Sequence, residues 1–116
     1  EVKGASLFDE VQAPHFNYVG VSVLGYRTHL GAGVILSNLK SNKEPVTVHL
    51  GNETVETGLK KFGALLADGV EVGCNAVLNP GTIVGRDSII YPLSAVRGYI
   101  PERSIYKGAG VVVARR

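Results

Sequence analysis

The sequence has no tryptophan, no methionine, one cysteine, and only five Tyr and three Phe among its 116 residues. A single cysteine excludes an internal disulfide and suits a reducing cytoplasm. No apolar run reaches the roughly 18 residues needed for a membrane-spanning helix, and the opening residues carry no signal-peptide pattern. Charge of one sign is also scarce: 12 basic and 10 acidic residues leave +2, too weak a field to argue for nucleic acid or an anionic membrane. Asn52-Glu53-Thr54 matches a glycosylation acceptor, but without a secretory signal it reads as a turn. With so few rings, any core has to be built from Val, Leu, Ile and Ala.

Glycine is plentiful at 15 residues, about twice the usual ~7%. It punctuates a repeat. Leu66 to Pro101 reads in sixes, with an aliphatic residue at Leu66, Val72, Leu78, Val84, Ile90 and Val96. Four positions after each of the first five comes Val70, Ala76, Thr82, Ser88 or Ser94. A period of six fits neither a helix nor a simple solvated strand. It is the hexapeptide period of an all-β fold, the parallel β-helix, whose short strands turn corners and stack their aliphatic positions into one continuous core. Gly, Asp and Asn are expected at the corners, where positive φ is needed.

The same period runs more faintly through Leu7, Ala13 and Val19, then Leu24, Leu30 and Leu36 after one five-residue step. Three hexads make one triangular turn, so about four turns are visible. Between about 37 and 63 the period breaks. Val46–Leu50 alternates as a strand, Gly51-Asn52 is a turn signal, and Thr54–Thr57 can return, which predicts a hairpin excursion from one corner. After Pro101 a tail is expected, with a final strand over the open end of the prism and a solvated Arg115-Arg116 terminus. Residues 1–116 are expected to form one domain, the C-terminal part of a longer chain, because the repeat begins in mid-pattern.

Three histidines raise a zinc question. His15, His29 and His49 lie 14 and 20 positions apart, without a close His-x4-His pair, and no metal site is assigned. His15, in a hexad with Tyr18 three positions on, is the natural candidate for a general base near neutral pH. Cys74 reads as a small buried or half-buried filler, with no cation nearby in sequence to lower its thiol pKa. Lys3, Lys60 and Lys61 become functional if a phosphate is bound.

The run His15-Phe-Asn-Tyr-Val-Gly20, followed by Leu24-Gly, Leu30-Gly-Ala-Gly33 and Ser37-Asn38, resembles a known family. It is similar to the acetyltransferase half of the bifunctional enzyme that makes UDP-N-acetylglucosamine, and to related sugar nucleotidyltransferases. That half is glucosamine-1-phosphate N-acetyltransferase, a left-handed parallel β-helix. The resemblance implies acetyl-CoA as co-substrate, an amino-sugar phosphate or nucleotide sugar as acceptor, a cytoplasmic homotrimer, and acetyl transfer that needs no metal. It implies His15 as catalytic base. Lys3, Tyr18, His29 and Lys61 fall on sugar-phosphate contacts, and Asn38, Ala32, Cys74 and Pro92 on the cofactor side. Backbone N–H groups near Gly31-Ala32-Gly33 are implied oxyanion donors.

The chain departs from the family pattern in places. Val21 stands where the family has Asp, His29 where it has Asn, and Leu39 where it has an aromatic. An arginine that helps hold the phosphate falls outside the chain. These departures leave an alternative reading, a non-catalytic trimerisation and regulatory module of a sugar nucleotidyltransferase. No nucleotidyltransferase glycine-rich loop is present.

Overall fold

A computed structural model describes residues 1–13, 16–50 and 52–115. The chain coils as a left-handed parallel β-helix of five coils with three flat faces. The first face stacks Val2–Lys3, Tyr18–Gly20, Ile35–Leu36, Val77–Leu78 and Ala95–Val96. The second stacks Ser6–Leu7, Val23–Leu24, Leu65–Leu66, Ile83–Val84 and Tyr99–Ile100. The third stacks His29–Leu30, Glu71–Val72, Ile89–Ile90 and Ser104–Gly108, with Gln12 joined to His29 by an isolated bridge.

The hexad positions explain why the chain coils. Leu66, Val72, Leu78, Val84, Ile90 and Val96 are each at most 1% exposed and pair in register with their equivalents above and below. Each buried aliphatic side chain contributes roughly 1.5–3 kcal/mol before conformational entropy is subtracted. The accompanying Val70, Ala76, Thr82, Ser88 and Ser94 are also buried. Their hydroxyls are satisfied by main chain: Thr82 Oγ1 donates to Asn79 O at 2.6 Å, and Ser88 Oγ donates to Pro101 O at 2.7 Å. A buried hydroxyl without such a partner would cost a few kcal/mol. Leu7 stacks on Leu24 yet stays 43% exposed, because no described strand lies beyond it.

The corners turn on residues with positive φ. Asn75, Asp87 and Gly69 follow the expected residue types, whereas Arg27, Leu93 and the β-branched Val21 adopt the same conformation without that local signal.

The predicted hairpin is present as Thr47–Leu50 against Glu53–Glu56, leaving the prism between the first and second faces. It folds down rather than out: Val46 and Val48 are buried. A Cβ at Gly81 would lie 2.7 Å from the Thr47 carbonyl oxygen, so glycine is what lets the hairpin seat on the fourth coil.

The tail differs from expectation. Ser104–Gly108 is the last parallel strand of the third face, and Val111–Ala114 folds back antiparallel beside it at the sheet edge. Tyr106, 6% exposed, closes the core instead of a covering strand, and its hydroxyl donates to Ala95 O at 3.1 Å. Arg115 is not merely solvated: its Nη1 donates to Asp87 O at 2.8 Å and its N–H to Arg103 O at 2.7 Å. Arg116 lies outside the described residues.

Candidate functional site

The corner between the third and first faces carries a column of the expected cofactor positions. Ala32, Cys74 and Pro92 each stand three residues after a strand start on the third face, at His29, Glu71 and Ile89. Main-chain bonds tie the column together: Asn75 N–H donates to Ala32 O at 2.9 Å, and Leu93 N–H to Cys74 O at 3.0 Å. The packing is close. A Cβ at Gly31 would meet Cys74 Sγ at 3.0 Å, and one at Gly73 would meet Pro92 N at 2.5 Å. Cys74 is exposed, not a buried filler, because a corner position points outward where a strand position would point in. His15 lies outside the described residues; in sequence it falls three positions after Gln12, as Ala32 does after His29.

The corner also bears on the implied oxyanion donors. Gly31 N–H is already committed to Val72 O at 2.8 Å. That leaves the N–H groups of Ala32 and Gly33, which donate to no described residue.

The opposite edge of the first face gathers a second set. Lys3 is in register with Gly20, and Val21 N–H donates to Lys3 O at 2.8 Å. Tyr18 and Gly20 flank the buried Val19 on one strand, Tyr18 half-buried and Gly20 itself buried. The Tyr18 ring and the Asn38 amide both fold over Gly20: a Cβ there would come 2.7 Å from the Tyr18 hydroxyl and 2.5 Å from Asn38 Nδ2. Lys61 joins them through the chain, because Leu39 bridges Lys61 and Phe62 N–H donates to Asn38 O at 2.9 Å. The structure therefore brings together Lys3, Tyr18, Asn38 and Lys61 along one corner, and Ala32, Cys74 and Pro92 along the next; Asn38, expected on the cofactor side, lies instead with the expected sugar-phosphate contacts, because its amide folds over Gly20 on the first face.

His29 stands apart on the third face, flanked in register by Gln12 and Glu71. Its Nδ1 lies 2.8 Å from Gln12 Oε1. A carbonyl oxygen only accepts, so Nδ1 carries the hydrogen and Nε2 is left as the acceptor of the neutral ring. Gln12 was not foreseen; its signal is the 17-residue coil that separates it from His29, which appears only once the strands are paired. Beside it the Tyr26 hydroxyl, and then the Arg27 guanidinium, hold the Glu10 carboxyl below its ordinary pKa. The Arg27 ion pair with Glu10 is 2.9 Å long and well exposed, and so worth little in stability.

No family model matches the chain. It is 34% identical over 117 aligned positions to the "Bifunctional protein GlmU" of Methanococcus vannielii, covering 100% of this chain and 28% of that protein. It is 32% identical over 96 positions to the "Bifunctional sugar-1-phosphate nucleotidylyltransferase/acetyltransferase" of Sulfurisphaera tokodaii, covering 83% of this chain and 24% of that protein. The chain thus spans less than a third of the length of these relatives. Among solved structures, serine acetyltransferase from Brucella abortus strain S19 superimposes with a TM-score of 0.65 over 97% of this chain and 40% of that one. At 16% identity, that likeness speaks for the fold alone.

Proposed function

We propose that this chain, which is similar over its whole length to part of the bifunctional protein GlmU, transfers the acetyl group of acetyl-CoA to the amine of an amino-sugar phosphate or nucleotide sugar resembling glucosamine 1-phosphate. The observation that carries this reading is the convergence of Tyr18 and Asn38 on Gly20, next to Lys3 and Lys61. Two ammonium groups, a phenol and an amide on one corner suit a phosphorylated polyhydroxylated acceptor.

In this reading the acceptor nitrogen attacks the thioester carbonyl directly. His15 takes a proton from that nitrogen as the bond forms. The N–H groups of Ala32 and Gly33 stabilise the oxyanion, an effect of about 3 kcal/mol per donor in comparable sites. The C–S bond then breaks, and the proton passes to the departing CoA sulfur. The cofactor lies along Ala32, Cys74 and Pro92, and the transfer uses no metal.

The working unit is a homotrimer. The second face presents Val23, Leu65 and Tyr99 outward at 39%, 37% and 43% exposure, an apolar row suited to burial against another copy. The reaction belongs in the cytoplasm, where the Cys74 thiol stays reduced.

The test is release of CoA thiol from acetyl-CoA with glucosamine 1-phosphate and a panel of amino sugars. Wild type is expected to release thiol well above His15→Ala. Equal background rates for both would defeat the proposal, and the further absence of any CoA-induced thermal shift would favour the non-catalytic module.

A further inference from the structure

Beneath the hairpin, at the corner of coils three to five, lies a cavity of about 490 Å³ that the acetyl-transfer reading leaves unused. Its walls come from four separate stretches. Lys40 stands on the loop leaving the third coil, Thr47 and His49 on the hairpin strand, and Asn79 and Arg97 on the fourth and fifth coils. Ser37, Ser41 and Asn42 add neutral polar groups, and no Asp or Glu is among the lining residues.

The charge arrangement is one-sided. Among the described residues the ion pairs are Arg27–Glu10 and Arg86–Glu102, so neither Lys40 nor Arg97 has a carboxylate partner. His49 meets Thr54 Oγ1 through Nδ1 at 3.3 Å, and its Nε2 has no described partner. Glu56 lies opposite Thr47 on the hairpin but does not line the cavity. Two permanent cations in one concavity, without a carboxylate, focus a positive potential there. Lys40 and Arg97 rise from coils two steps apart, about 10 Å of backbone separation, and both line the cavity. The volume falls within the range of small-molecule sites and is far too small for a nucleic-acid duplex.

We propose that this cavity binds a small molecule carrying more than one phosphate charge, held between Lys40 and Arg97, with His49 and the neutral polar groups as further hydrogen-bond partners. Arg97 provides a planar fork for phosphate oxygens, and Lys40 a point charge. A diphosphate of the co-substrate kind and a sugar phosphate share this chemistry, and the measurement separates them.

The probe is inorganic pyrophosphate, titrated calorimetrically into the intact chain with no acetyl-CoA present, so that the outcome does not depend on acetyl transfer. Saturable binding is expected. The Lys40→Gln/Arg97→Gln variant should weaken it at least about tenfold, as befits the loss of charge-assisted hydrogen bonds. Arg86→Gln, on another corner and already ion-paired, should leave it unchanged. Competition by CoA or by glucosamine 1-phosphate then assigns the phosphate source. Absence of pyrophosphate binding, or the same affinity in the double variant as in wild type, overturns the proposal.

Discussion

Replacing Gly20 by alanine separates the candidate site from the scaffold. Gly20 does not have a positive φ, so alanine meets no backbone penalty. Its methyl would sit 2.5 Å from Asn38 Nδ2, which is 0.9 Å inside the 3.4 Å where ordinary contact begins, and 2.7 Å from the Tyr18 hydroxyl. Both obstacles are ends of flexible side chains, which can swing away at a stability cost below about 1 kcal/mol. The swing itself displaces Tyr18 and Asn38 by nearly an ångström, and misplacement on that scale costs up to about a hundredfold in rate. Gly85→Ala is the counterpart. There the added methyl meets backbone, the Glu102 nitrogen and, at 2.8 Å, Pro101 C, and neither can yield without parting the coils. It should cost roughly 1–3 kcal/mol while leaving the Tyr18–Asn38 cluster in place. Thiol-release kinetics and thermal melts on both variants decide the matter. If Gly20→Ala keeps wild-type kcat/KM, the convergence of Tyr18 and Asn38 has no part in the chemistry, and the reasoning behind the site fails.

Three other expectations are independent of this one. Gln12→Leu removes the acceptor that fixes the His29 tautomer, so the imidazole 15N shifts should move from a single Nδ1–H form toward a mixture of tautomers, with acceptor KM little changed because His29 stands apart from the Tyr18–Asn38 corner. Tyr26→Phe should return the Glu10 carboxyl toward its ordinary pKa, measured by NMR titration of the side-chain carboxyl. Because Glu10 is held low in the folded state, its contribution to stability is present above its unfolded pKa and lost as pH falls through the folded value. The Tyr26 phenol is held high by Glu10, so its share is present below its unfolded pKa and lost as pH rises through the folded one. Leu78→Ala, at a fully buried rung, should lower unfolding free energy by about 2–5 kcal/mol in denaturant titration, whereas Ile83→Ala at a half-buried outward position should cost far less.

What the sequence made readable was set by side-chain volume and period. Each aliphatic rung from Leu66 to Val96 is buried as its spacing predicts, and the hairpin lies within its predicted span, because both depend on neighbours close along the chain. The location of chemistry depends on neighbours a whole coil away. Coils here advance by 17 residues from Val2 to Val19, by 18 from Leu66 to Val84 and by 16 from Val84 to Ile100. Phase errors therefore accumulate before Gln12 can be set beside His29. Cys74 was misjudged for a related reason: a hexad fixes which positions face inward on the strands, but a corner presents its residue to solvent. Arg115 was missed because its acceptor, the Asp87 carbonyl, is main chain and leaves no trace in residue type.

The column Ala32, Cys74 and Pro92 has a further consequence, a matter of length measured in whole steps. Successive coils are separated by the spacing of hydrogen-bonded strands, about 4.8 Å, so the column is a ruler with one mark per coil and no fractional divisions. An extended ligand lying along it meets one residue per mark, and its reach can be changed only by a whole coil. Excision of residues 67–84, one full coil by the pairing of Leu66 with Val84, would shorten the ruler by one mark while returning the chain to the same face. In such a scaffold, selection for the length of a bound arm becomes a question of how many coils separate its two ends.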